Sequence, residues 1–388
     1  MKNNNLKKIL YILMLMIIIP IPYINFLFGK YIKVLQLIDI LLILIIYIKD
    51  NMSTKNIIYV LLFLSSILFS NLLNSINLIS IFFYIFRLLG IFLFFDFGMR
   101  HDSDNFILLS KKYFQIICLL NFLSILMYPN GFFVNADGYT SNWLLGFKNS
   151  HIEYILMSLT FSGIYCIKKY NKFDFNFYFN LIISIISTLL VKNSTGMVGM
   201  IIIIFYLIFK SKIDNLKIAN ALTYFNTYLL LFFSIVIFRI QRIFEFLIVE
   251  IMHKDLNFTG RIYVWDNAIN YIKNRSFFGY GNNKLIYHIY NSQVFIFGEK
   301  ESVIGAHNSL LDVTYKTGLC GLAVYILLIY KLCLNVMSYK TGISKFLAVI
   351  IFSYFIMMLM EAYSFELILI LFAISCNLFS IIGSECHA

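Results

Sequence analysis

The chain has 388 residues, of which 61% are hydrophobic and only 13% charged, and its net charge is +12. Soluble domains hold about 45–50% apolar and about 25% charged residues, so a water-soluble globule is excluded and lipid must cover the surplus apolar surface. The lysines lie between apolar runs, so membrane orientation explains the positive charge and nucleic acid is not expected as a partner.

In chain order, the first apolar run is Ile9–Phe28, behind Met1–Lys8 with its three lysines. It is too long for a signal peptide and lacks a small-x-small cleavage site, which predicts a retained first span. Further runs follow at Ile32–Ile48, Ile76–Phe95, Phe106–Tyr128, Asn176–Val191, Ala219–Phe238 and Ser309–Tyr330. About twenty apolar residues at a rise of about 1.5 Å cross the hydrocarbon layer. With the shorter runs between them, the pattern predicts an all-α polytopic integral membrane protein of about twelve transmembrane helices. Residues 1–388 form one membrane domain in this reading. A β-barrel is excluded, because its strands alternate polar and apolar residues and these runs are apolar all round. The six cysteines form no CxxC pair and suggest neither a disulfide framework nor a zinc site. No acidic cluster in the outer loops has ligand spacing, so neither a metal nor a cofactor is expected.

With the N-terminus in the cytoplasm, the loops on that side carry seventeen Lys and Arg, and the short loops opposite carry four. Positive charge stays inside, so both termini are expected in the cytoplasm. Two long outer segments result, 129–150 and 239–306, the second between the ninth and tenth spans. Long loops of this kind are usually functional. Within 239–306, the residues Ile262, Val264, Trp265, Ala268, Ile269 and Ile272 approximate helical spacing. They predict a short helix over Arg261–Arg275 on the membrane surface, capped by Thr259 or Gly260 and broken by Phe278-Gly-Tyr-Gly281.

The sharpest local pattern opens the next span: His307-Asn308, nine residues, then Gly318-Leu-Cys-Gly321. At 100° per residue His307, Asn308, Asp312 and Tyr315 share one side of a helix, and the two glycines admit a close neighbour. Arg87 sits mid-span, where a charge is costly and therefore a functional candidate, or else a structural partner of Asp39 or Asp96. Glu361 and Glu366 bracket the last outer turn, where Glu361 could bond sugar hydroxyls. His151 and Glu153 open another span from outside, and Trp143 and Trp265 are candidate sugar-stacking platforms.

His307, Asn308, Gly318 and Gly321, with Thr259-Gly-Arg261, Trp265, Phe278-Gly-Tyr-Gly281, Ser194-Thr-Gly196 and Gly146-Phe-Lys-Asn149, resemble a known family. It is that of the bacterial surface-polysaccharide (O-antigen, capsule) polymerases and O-antigen ligases, the Wzy- and WaaL-like membrane glycosyltransferases. The resemblance implies a glycan donor on polyprenyl (undecaprenyl) diphosphate, acting at the outer face of the bacterial inner, cytoplasmic membrane. It implies polymerisation of lipid-linked oligosaccharide repeat units, with ligation to another acceptor as the alternative. Membrane lipid, a chain-length regulator and a flippase are the implied partners. A transporter or flippase of lipid-linked sugars is the reading from another class, but no internal repeat supports it. The chemistry needs cations on the diphosphate and a base on the acceptor hydroxyl. His307 and Arg261 are the expected catalytic residues, and Arg239, Arg242, Arg87, Asn308 and Glu361 the expected substrate contacts.

Overall fold

A computed structural model describes residues 2–49, 56–134, 141–240, 260–283 and 305–383. Helices dominate them. The first half holds α1 (Lys2–Ile18), α2 (Pro22–Lys49), α3 (Ile57–Leu73), α4 (Leu78–His101), α5 (Ser103–Met127) and α6 (His151–Tyr170). The second holds α7 (Phe175–Leu190), α8 (Ser194–Asn215), α9 (Ala221–Leu231), α10 (Arg261–Asn274), α11 (Ser309–Met337), α12 (Gly342–Met358), α13 (Phe365–Cys376) and α14 (Leu378–Ile382). A π-helical turn, Phe232–Ile237, prolongs α9.

Five of these helices, α2, α4, α5, α8 and α11, are long and apolar enough to cross a membrane. Five shorter apolar segments accompany them: α3, α7, α9 with its π-helical turn, α12 and α13. The chain is an all-α multi-pass membrane protein. Its inner helices α6, α12 and α13 are buried almost all round, whereas α2, α7 and α8 keep rows of Leu, Ile and Phe exposed. That difference is the expected one between helices facing protein and helices facing lipid tails.

Local sequence explains the boundaries. Pro20 ends α1, and Pro22 opens α2 at the position where a missing N–H costs nothing. Asparagine supplies many of the caps: Asn193 accepts from Gly196 N–H at 2.8 Å, and Asn220 accepts from Thr223 N–H at 3.0 Å. Polar groups between spans find partners, as where Asn180 of α7 donates to Ser158 of α6 at 3.0 Å.

Three features depart from the hydropathy reading. The run Ile9–Phe28, expected as one first span, is broken: α1 stops at Ile18, and α2 starts at Pro22 and takes in the end of the run. The 129–150 segment contains a three-stranded antiparallel sheet, β1 (Phe133–Val134), β2 (Ser141–Trp143) and β3 (Gly146–Phe147), in order β1-β2-β3. Its strands are two or three residues long, too short to leave a period-two pattern. The helix expected over Arg261–Arg275 forms as α10 and is one residue shorter. Its apolar face, Ile262, Trp265 and Ala268, is buried and packs against α11.

Candidate functional site

The site is built on a break in α11. Gly318 has φ +68°, a conformation open to glycine and costly for other residues. A Cβ there would sit 2.1 Å from the Phe277 carbonyl oxygen. The segment after α10 runs into this gap and bonds the opened turns: Tyr280 N–H to Tyr315 O at 2.8 Å, Gly281 N–H to Lys316 O at 2.9 Å, and Leu319 N–H to Ser276 O at 2.7 Å. Helix α3 closes the joint, with Ser70 Oγ accepting from Gly281 N–H at 3.1 Å and Asn71 Oδ1 accepting from Asn282 N–H at 2.8 Å. The glycines of Phe278-Gly-Tyr-Gly281 and Gly318 therefore serve one backbone joint, which fixes α10 relative to α11.

That joint sets Arg261, at the start of α10, against His307, just before α11. His307 itself has a positive φ of 45°, so it stands outside the helix rather than on its face. Glu361, in the turn between α12 and α13, bridges the two residues. Its Oε2 lies 2.9 Å from His307 Nδ1, and its Oε1 accepts from Arg261 Nη2. The Glu361 side chain is 8% exposed and that of His307 34% exposed, so the carboxylate is enclosed while the imidazole keeps an open side. Burial pushes the Glu361 carboxyl up, but the His307 hydrogen bond and the Arg261 guanidinium beside it outweigh that. The group is held below the usual carboxylate range. Arg261 Nε is buried with no hydrogen-bond partner among the described residues.

Arg239 follows the π-helical turn in a left-handed conformation, φ +56°. Its guanidinium lies 5.2 Å from the Trp265 ring centroid and pairs with Asp266 at 2.5 Å. Trp265 in turn donates to the His307 carbonyl at 3.4 Å. Arg239, Arg261 and His307 thus share α10 as a common support.

Residues 179–326 match the family model described as O-antigen ligase. Over that stretch the chain is similar to the O-antigen ligase family. No curated protein and no solved structure matches it. The matched stretch contains Arg239, Arg261, His307 and Gly318, the glycine of the α11 break. Glu361 lies beyond it, and only the fold brings that carboxylate to the histidine.

Other expectations for the site are met differently. Asn308 was expected to contact substrate, but its side chain is buried and engaged at both ends. It caps α11 by accepting from Leu311 N–H at 3.0 Å and donates to Leu359 O at 3.0 Å. This anchors His307 to the end of α12. Arg87 pairs with neither Asp39 nor Asp96; it reaches Glu366 on α13. Asp96 is taken by Arg100, at 2.9 Å, and by Asn377, at 2.7 Å. Asp312 pairs with Lys316 at 2.6 Å and Tyr315 stacks on Tyr280 at 5.0 Å, so the four residues expected on one helix side take separate directions.

The two tryptophans are not sugar platforms. Trp265 is fully buried, and Trp143 is buried with its Nε1 donating to Tyr128 O at 2.7 Å. His151 is enclosed and bonded to Gly146 O at 2.9 Å, and Glu153 accepts from Ser364 at 2.7 Å. Arg242 and Thr259 lie outside the described residues. Sequence spacing missed Asp266 as the partner of Arg239 and the Ser70–Asn71 contribution to the joint. Asp266 lies 27 residues from Arg239 and outside any motif, while Ser70 and Asn71 lie more than 200 residues from the segment they bond, a separation that leaves no local signal.

Proposed function

We propose that the protein polymerises oligosaccharide repeat units carried on polyprenyl diphosphate, working at the non-cytoplasmic face of the bacterial inner membrane. The observation that carries this reading is the Glu361 carboxylate bridging Arg261 and His307. A proton on His307 Nδ1, donated to Glu361, leaves Nε2 with its lone pair free to act as general base. The acceptor hydroxyl oxygen bonds to the anomeric carbon of the donor as that carbon's bond to the diphosphate oxygen breaks. The hydroxyl proton passes to His307 Nε2, and the electron pair of the broken bond leaves with the polyprenyl diphosphate.

Diphosphate is a good leaving group, so the site needs cations more than an acid. Arg261 supplies a planar fork for phosphate oxygens, and its unpartnered Nε is a donor awaiting an acceptor. Arg239, Arg242 and Arg87 remain the further candidate contacts for phosphate oxygens, with Arg239 paired to Asp266 and Arg87 to Glu366 before substrate arrives. The acceptor is a second lipid-linked unit, and a flippase and a chain-length regulator act before and during polymerisation.

A second reading, ligation of finished glycan to a different acceptor, is favoured by the ligase description of the matched family. Deletion in the native host separates the two. Loss of the high-mass ladder of surface glycan with single units retained supports the polymerase, and accumulation of lipid-linked polymer supports the ligase. An unchanged glycan profile overturns both.

A further inference from the structure

Three buried hydroxyl groups of tyrosine lack a hydrogen-bond partner among the described residues: those of Tyr11, Tyr228 and Tyr363. The first two belong to α1 and α9. Tyr363 belongs to the short turn between α12 and α13, two residues after Glu361. Its backbone N–H bonds Ser309 Oγ at 3.4 Å, and its ring lies 5.5 Å from that of Tyr354. The first holds the backbone and the second the ring, and neither uses the hydroxyl. The same Ser309 Oγ donates to Glu361 O at 3.0 Å, so one hydroxyl ties the backbone of Tyr363 to that of the bridging residue, and Glu361, Glu153 and Arg261 all act electrostatically on the phenol.

A buried hydroxyl without a partner costs free energy, and a fold retains one where another demand outweighs that cost. A donor of the bridge itself, Arg261 Nε, is in the same state among the described residues, and so is Nη1 of Arg239, which lies over Trp265 of α10. Orphaned carboxylate oxygens would point to a cation or to sugar hydroxyls as the ligand. Orphaned donors point to an anionic acceptor rich in oxygen.

We infer that the Tyr363 hydroxyl is a catalytic hydrogen-bond donor to the diphosphate of the lipid-linked substrate, acting with Arg261. The inference rests on the glycosyl-transfer reading and adds to it a neutral donor that the arginines alone do not provide. A phenol donates without bringing a charge that Glu361 could neutralise, so it remains available while Arg261 is still paired. As the glycosidic bond breaks, negative charge grows on the leaving oxygen, and a donor already in place stabilises that charge more than the ground state.

Tyr363→Phe tests this without removing packing, because the ring stays and the lost atom has no partner among the described residues. The full-length protein in nanodiscs is titrated with polyprenyl diphosphate, and single-turnover transfer is measured with a lipid-linked repeat unit. Arg261→Ala serves as the comparison. Tyr363→Phe is expected to melt at or above the wild-type temperature, to bind polyprenyl diphosphate about 10-fold more weakly, and to transfer about 10- to 100-fold more slowly. Wild-type affinity and rate in Tyr363→Phe, with binding lost in Arg261→Ala, would overturn the Tyr363 assignment and leave the transfer reading standing. A lowered melting temperature would reveal a structural partner for the hydroxyl and overturn it too. Failure of the wild-type protein itself to bind polyprenyl diphosphate would overturn the transfer reading and the inference together.

Discussion

Replacing Glu361 by glutamine keeps the shape of the side chain and removes one charge, which isolates what the carboxylate does. The carboxylate offers one oxygen to Arg261 and the other to His307 Nδ1, 2.9 Å away. Glutamine offers one oxygen and one NH2 group. The oxygen faces Arg261, because the guanidinium only donates, and the NH2 then faces His307 Nδ1. Nδ1 must now accept, so the ring proton moves to Nε2, the atom that the reaction needs bare. The expected loss is about 10²–10⁴-fold in turnover, the range for a misassigned base tautomer. Donor affinity is expected to hold or improve, because Arg261 loses a competing carboxylate. Losing a charged hydrogen bond costs about 1.5–3 kcal/mol of stability, so the variant should still fold. The assay is donor binding and single-turnover transfer on purified protein in nanodiscs. Turnover within about twofold of wild type would refute the reasoning.

The same carboxylate predicts a pH dependence. A carboxyl held below its ordinary value stabilises the fold above about pH 4.3, and the gain is lost as pH falls through the lower, folded-state value. The melting-temperature gap between wild type and Glu361→Gln should therefore be constant near neutrality and close in acid; a gap that widens in acid would reverse the sign. Gly318→Ala should cost more than about 2 kcal/mol, since the new Cβ meets the Phe277 oxygen at 2.1 Å in a strained conformation. A wild-type elution profile and melting curve for that variant would deny the joint. Reporters fused after Lys169 or Lys212 should read cytoplasmic, and reporters within 281–299 external; inverted readings would discard the orientation and the outer-face chemistry with it.

Fold class was legible from composition because lipid exposure demands apolar residues in long runs, and no soluble fold imitates that. The helix over Arg261–Asn274 was legible from the spacing of Ile262, Trp265 and Ala268, although that spacing does not say whether lipid or protein covers the face. His307 and Arg261 were singled out by local patterns, and the fold brings them to one carboxylate. The identity of that carboxylate's partners was not legible: Glu361 lies 54 residues from His307 and 100 from Arg261. Asn308 shows the converse limit. A motif marks a residue as needed without saying whether it touches substrate or caps the helix that does. Gly318 shows it again, since its spacing with Gly321 reads as helix packing, and Gly318 is instead a helix break filled by the Phe277–Gly281 backbone.

The account stands most directly on His307 as the base and Arg261 as the grip on diphosphate, and one measurement separates the two roles. Polyprenyl diphosphate binding and single-turnover transfer are compared for His307→Ala and Arg261→Ala in the same nanodiscs. His307→Ala should bind like wild type and turn over about 10²–10⁴-fold more slowly, whereas Arg261→Ala should lose affinity as well as rate. Transfer by His307→Ala at close to the wild-type rate would contradict the account and return the histidine to a structural place at the head of α11.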